Sequence, residues 1–469
     1  MRLRPSLTVT TILLAALLLA ILPAWLVGRN DLSRAGQAVR IGDYARAADA
    51  MEAAARLLFW RSDLWEQAAG YALQAGDAPH AAALLDEASS RFRLTPGGFR
   101  TLGDARFQAG DQESALRAWD QALGAGGPDA SIFERQANLR HLRGEYSQES
   151  AILDSWLKLD PANPAARLRR AVLLAAKDPV QALDELYAAQ GLPPGREQTF
   201  RALRTLLTRA SLEQDPAYRL MLAGQWLAAQ GDWPLARQAF EGAVDQSPAY
   251  AEGWAWLAEA QQQTGRDGSP ALRRALALDA SLPIVQAFTG MYQMRQGRPD
   301  LALTRFAAAA AGEPSNPAWQ AALGDAYARQ GNLPPALAAY RRATALAPGE
   351  SRYWRLLASF CIQYGIEIDT TAYASAHTAV QLDRDDPLAL DTLGWLFLAI
   401  GRPLEAIPPL QQANQMSPGN ALINLHLGIA QLQAGQAGAA REHLQNAVRL
   451  DPQGQAGWQA GLLLEQYFK

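Results

Sequence analysis

Few residues in this chain have the type and spacing that chemistry requires. The five histidines (His80, His141, His377, His426 and His443) are scattered, with no H-E-x-x-H pair and no companion cysteines. Those patterns would place two zinc ligands on one helical face. Cys361 is the sole cysteine, so no intramolecular disulfide can form, and a buried core thiol is expected there rather than a nucleophile. The tracts Pro96–Gly97–Gly98 and Gly124–Ala125–Gly126–Gly127–Pro128 lack the Lys and Ser/Thr of a phosphate loop and are expected to be turns between helices. The carboxylate pairs Asp86–Glu87 and Asp385–Asp386 are expected at helix ends, capping them and complementing their dipoles. No G-x-S-x-G elbow occurs. No catalytic residue, metal site or cofactor is expected, and the chain is not expected to be an enzyme.

The elements that would position any site are repeated. Gly324 is followed by Gly331, Ala336, Tyr340, Ala343 and Pro348. The same slots hold Gly290, Gly297, Ala302, Phe306, Ala309 and Pro314 one unit earlier. They recur as Gly394, Gly401, Ala406, Leu410, Ala413 and Pro418, and again from Gly428 to Pro452. The step from Pro314 to Pro348, and from Pro418 to Pro452, is 34 residues. A fixed period of this size signals a stacked array. Glycine inside a helix costs about 1 kcal/mol relative to alanine, so Gly224, Gly290, Gly324, Gly394 and Gly428 need a packing reason, namely close approach of a second helix. The glycines seven residues later stop the first helix, and Pro248, Pro314, Pro348, Pro418 and Pro452 close each unit. Aromatic residues such as Phe240, Phe306, Tyr340, Trp254 and Trp354 are expected to fill the space between helices.

The spacing W-x-x-L-G-x-x-Y, then G, then A-x-x-x-F/Y-x-x-A-x-x-x-x-P resembles the tetratricopeptide repeat, with the fullest match from Ala217 to Pro248. The resemblance implies an all-α, right-handed superhelix of helix–turn–helix units, about 12 of them. It also implies that the second, fifth, ninth and twelfth slots of each first helix line a concave, ligand-binding face. Those slots hold Met291 and Met294, then Asp325, then Arg352, Arg355 and Ser359. Further on they hold Trp395, Leu398, Leu425, Ile429 and Leu432. The helix from Ala421 is therefore apolar on two faces. Either strong curvature or the final helix (Gln455–Lys469) covers Leu425, Ile429 and Leu432, or Trp395, Leu398, Leu425, Ile429 and Leu432 form a trough for a peptide with Arg352 and Arg355 at its rim. The family's two-carboxylate clamp of lysines and asparagines is not matched.

Length and charge fit this reading. At 469 residues the chain exceeds what one globular core sustains, a limit that stacked repeats escape. A net charge of −3 without a clustered basic face gives no nucleic-acid footprint. From Leu7 to Val27 no charged residue occurs, and 21 residues at about 1.5 Å each span roughly 31 Å, enough for one N-terminal transmembrane helix. Arg2 and Arg4 precede the run, which favours a cytoplasmic N-terminus with the repeats on the outer side of the membrane. A cleaved signal peptide is the alternative, although Leu22–Pro23–Ala24 is a poor cleavage site. The expected organisation is an N-terminal flank and anchor (1–29), degenerate repeats (30–195), an inserted helix (196–216), clear repeats (217–454) and a capping helix (455–469). The expected function is a membrane-tethered scaffold or adaptor that takes protein or peptide clients in its groove. An accessory subunit of an envelope assembly or polysaccharide export machine is the other reading.

Overall fold

The computed structural model describes residues 7–468, with side chains described from Ala24 onward. Among these residues there are 26 α-helices, one π-turn and no strand. The chain separates into two compact units, one ending at Ala239 and the other beginning at Phe240.

The first unit opens with α1 (Leu7–Arg40), α2 (Tyr44–Leu57), α3 (Ser62–Gln74) and α4 (Ala78–Ser89). It continues through α5 (Pro96–Gln108), α6 (Gln112–Gly126), α7 (Ala130–Leu142) and α8 (Tyr146–Leu159). It is completed by α9 (Pro164–Ala175), α10 (Pro179–Tyr187), α11 (Glu197–Leu212), α12 (Pro216–Ala229) and the start of α13 (Trp233–Gln246). These helices pair as hairpins, and the turn inside successive hairpins is built the same way. Gly42, Gly76 and Gly110 take φ of 76°, 84° and 88°, a left-handed conformation that favours glycine. The next residue, Asp43, Asp77 or Asp111, caps the second helix by accepting the backbone N–H three residues on. The inserted helix α11 stands without a hairpin partner and buries Phe200, Leu203, Leu207 and Ala210 against its neighbours α10 and α12.

Two glycine tracts expected as turns are largely helical. Pro96–Gly97–Gly98 forms the first turn of α5, capped by the Thr95 hydroxyl, because proline suits a first helical position and the small residues clear the preceding hairpin. Gly124 and Gly126 lie inside α6, and only Gly127, at φ 84°, turns the chain. Asp86 and Glu87 lie near the C-terminal end of α4, the wrong end for a dipole partner. They bond instead to Arg106 and to Arg56 and Arg91. Asp386 does cap its helix, accepting from the Leu388 N–H.

The second unit runs through α14 (Ala251–Gln263), α15 (Ser269–Leu278), α16 (Pro283–Arg295), α17 (Pro299–Gly312), α18 (Pro317–Arg329) and α19 (Leu333–Leu346). Then follow α20 (Ser351–Tyr364), α21 (Tyr373–Leu382), α22 (Pro387–Ala399) and α23 (Pro403–Met416). It ends with α24 (Ala421–Gln433), α25 (Ala437–Leu450) and α26 (Gln455–Tyr467). The extra residues after α20 are absorbed by the π-turn Ile368–Ala372, preceded by Glu367 at φ 47°. A Cβ at Gly290, Gly324 or Gly428 would stand 2.7, 2.9 or 2.8 Å from Phe306, Tyr340 or Leu444, so the recurrent glycine is the slot into which the second helix presses its large side chain.

A second recurrent device stitches six of the hairpins to the turn before them. The fourth residue of a first helix donates a side-chain hydrogen bond to the carbonyl six residues upstream. Arg167 and Arg219 do so to Pro161 and Glu213. Trp254, Gln286, Trp354 and Asn424 do so to Pro248, Ala280, Pro348 and Pro418. Trp254 and Trp354 are thus half-buried clasps rather than core filling, whereas Phe240, Phe306 and Tyr340 are buried.

Among the described residues no helix is long and apolar enough to cross a membrane. Most of the apolar run 7–27 lies outside the residues whose side chains are described.

Candidate functional site

In the second unit a groove of about 920 Å³ crosses α16, α18 and α20. Its apolar wall includes Met291, Met294, Trp319 and Leu356. Met291, Met294, Asp325, Arg352, Arg355 and Ser359, all read from slot spacing, line it. Asp325 accepts a hydrogen bond from the Tyr340 hydroxyl, which fixes the carboxylate against the groove wall. The Arg352 guanidinium lies 4.4 Å from the centre of the Tyr353 ring and 3.4 Å from Glu350. Arg355 is less well met. Its Nε is buried and has no hydrogen-bond acceptor among the described residues, with the Asp386 carboxylate at 3.8 Å. A buried donor without an acceptor is costly unless something supplies one.

The apolar trough expected further along is partly covered by α26. Leu425 is only 1% exposed, packed with Ala456 and Ala460 of α26, and Ile429 joins the same cluster. The small residues at 456 and 460 let α26 approach α24 closely, which uses up the second apolar stripe. Trp395 and Leu398 are half-buried against the cluster around Leu396 and Leu427. The Trp395 ring stacks on His426 at 5.4 Å, and His426 Nδ1 lies 2.8 Å from Asp391. Leu432 is partly covered. Of the trough residues, then, Leu425 is unavailable to a ligand, and only the two arginines reach the groove described above.

The first unit holds a cavity of about 720 Å³ that spacing analysis of the later repeats did not reach. Counting the same slots from Pro96, Ala130 and Pro164 would have pointed to it, because six of the nine fifth, ninth and twelfth positions, Asp104, Phe107, Asn138, His141, Leu168 and Val172, are in its lining. Behind the wall runs a charged network. His141 Nδ1 lies 2.8 Å from Glu149 and Nε2 lies 3.0 Å from Asp232. Arg169 Nε donates to the other Glu149 oxygen at 2.5 Å, and its remaining nitrogens bond Asn138 and the Ala137 carbonyl. The hydrogen bond to Asp232, then that to Glu149, outweighs burial and raises the His141 pKa to about 9, so the ring is an imidazolium at neutral pH. Asp104 accepts from Trp119 Nε1 at 3.0 Å and from Arg135 Nε at 2.7 Å.

Among the described residues no three His, Cys, Asp or Glu side chains are placed to hold a metal ion. His443 meets Asn424 at 3.3 Å rather than His426. Cys361 is fully buried, and that burial pushes its thiol pKa up to about 11.

Comparison with known proteins agrees with the architecture. A tetratricopeptide-repeat family profile matches residues 293–360 and 397–462, and a second tetratricopeptide-repeat profile matches 100–164. The chain therefore carries tetratricopeptide repeats in both units. Among solved structures it is similar to yeast Tom70, with 15% identity, 94% of this chain and 95% of that one covered, and a TM-score of 0.43. It is also similar to the Cut9–Hcn1 hetero-tetramer of the APC/C, with 16% identity, 94% and 90% coverage, and a TM-score of 0.44. MamA from Desulfovibrio magneticus RS-1 aligns over 36% of this chain and 95% of its own, with 19% identity and a TM-score of 0.31. No curated protein sequence matches the chain.

Proposed function

We propose that this chain is a membrane-tethered scaffold that holds an extended peptide segment of a partner protein in the groove across α16, α18 and α20. The observation that carries the reading is the groove itself. Adaptable thioether and aromatic side chains line it, with the guanidinium groups of Arg352 and Arg355 beside them. Methionine side chains conform to varied apolar ligands, and arginine at the wall selects for an acceptor beside them. Repeat stacks of this kind form long binding surfaces rather than reaction pockets.

The tether is the segment 7–27. Trp25, Leu26 and Val27 are 43–54% exposed, and the Arg29 guanidinium sits 5.5 Å from the centre of the Trp25 ring. An exposed aromatic and aliphatic cluster beside a basic residue suits the edge of a bilayer. The repeats are proposed to lie on the outer side.

Partner capture by the full chain from solubilised membranes tests the groove. Met291→Glu combined with Arg355→Glu should abolish recovery of the partners that the wild type captures while helix content is unchanged. Recovery of the same partners by this variant would refute the groove as the binding surface. Protease added to sealed cells should degrade the repeats; protection equal to that of a cytoplasmic marker would refute the topology. A mature N-terminus near Trp25 would refute the tether.

A further inference from the structure

We propose that the cavity of the first unit is a second docking site, and that its occupant is an acidic and apolar peptide segment of a partner protein. This site is independent of the groove in the second unit. Five ionisable side chains line the cavity, the carboxylate of Asp104 and the cations Arg135, His141, Arg169 and Arg196. Asp104 is already engaged by Trp119 and Arg135. The carboxylates that compensate His141 and Arg169 stand behind them, with Glu149 fully buried. The wall that a ligand meets is therefore positive, while the negative charge is held inside.

Several donors on that wall are uncommitted. The Arg196 guanidinium makes no hydrogen bond or ion pair among the described residues, its backbone alone bonding Pro193 and Phe200. Arg135 uses Nε on Asp104 and Nη1 on the Ser131 carbonyl, which leaves Nη2. The Asn138 oxygen accepts from Arg169, which orients the amide nitrogen as a donor. Beside these donors Phe107 is 39% exposed and Leu142 is 74% exposed. Carboxylate acceptors next to bulky apolar side chains match both halves of this surface. Arg169 and His141 are held rigidly by their own bonds, so the positive wall exists before the ligand arrives.

Fluorescence anisotropy with the full chain tests the assignment, using a labelled octapeptide of alternating Asp and Phe as probe and Lys–Phe and Ser–Phe octapeptides as controls. The Asp–Phe peptide should bind, more weakly as salt rises, and bind at least about tenfold more tightly than either control. Arg196→Ala with Asn138→Leu should weaken it about tenfold or more, whereas Arg355→Ala in the other groove should leave it unchanged. Phe107→Ala, at an exposed position, should weaken it without changing helix content. Equal binding of the Lys–Phe or Ser–Phe peptide would overturn the proposal. So would affinity unchanged in the Arg196/Asn138 variant, or loss confined to the Arg355 variant.

Discussion

His141 Nε2 lies 3.0 Å from the Asp232 carboxylate, a residue 91 positions further along the chain. The contact ties the end of α7 to the residue that also caps the start of α13, where Asp232 accepts the Leu235 N–H. Glu149 holds the opposite ring nitrogen, the Tyr146 ring packs edge-on at 5.5 Å, and Arg169 shares Glu149. The folded pKa of about 9 lies above the unfolded value near 6.5. The stabilisation is therefore complete below about pH 6.5 and is lost as pH rises through about 9. Relative to wild type, His141→Gln should melt lower by the equivalent of about 2 kcal/mol at pH 6.5, and the gap should close to under about 1 kcal/mol near pH 10. A gap that stays constant over that range would mean the ring is not charged in the folded protein.

Gly324→Leu and Gly394→Leu should each destabilise the local hairpin by about 1–3 kcal/mol, since Tyr340 and Leu410 already occupy the space. In a stack of repeats the damage should concentrate in the altered hairpin and those touching it. Hydrogen exchange that accelerates evenly along the whole chain would contradict this.

Leu425→Ala should cost about 2–5 kcal/mol by opening a cavity between α24 and α26. It should leave partner capture by the distant Arg352 and Arg355 groove intact. Loss of capture with unchanged melting would instead restore Leu425 as a ligand contact.

Cys361 should resist thiol labelling in the folded chain. Raising its pKa from 9.0 to about 11 cuts the thiolate fraction near neutral pH by about 100-fold, before burial is considered. Maleimide reaction should appear in denaturant and be absent in buffer; prompt labelling of the native chain would show that α20 opens readily.

Much of this was legible in the chain because repeat slots depend only on local spacing. The left-handed glycines, the closing prolines and the groove positions Met291, Met294, Asp325, Arg352 and Arg355 all follow from counting along one helix. Slot counting tells which way a side chain points but not what arrives there. The stripe Leu425–Ile429 points as expected, and α26 lies on it through Ala456 and Ala460. That spacing of small residues was the available signal. The first unit looked degenerate because its aromatic slots vary, yet Gly42–Asp43, Gly76–Asp77 and Gly110–Asp111 keep a strict step of 34. Backbone geometry had preserved a period that side-chain identity blurred.

The clasp at the fourth helical position shows how such blurring is tolerated. Arginine, tryptophan, glutamine and asparagine all reach a carbonyl six residues back. They share no size, charge or hydrophobicity, only an N–H at the right distance. In these hairpins the position is thus written in a four-letter synonym set, within which mutation can wander without touching the joint to the preceding turn. Similarity measures that score tryptophan against arginine as a drastic change will read neutral drift here as divergence, and repeats that are mechanically equivalent will look unrelated.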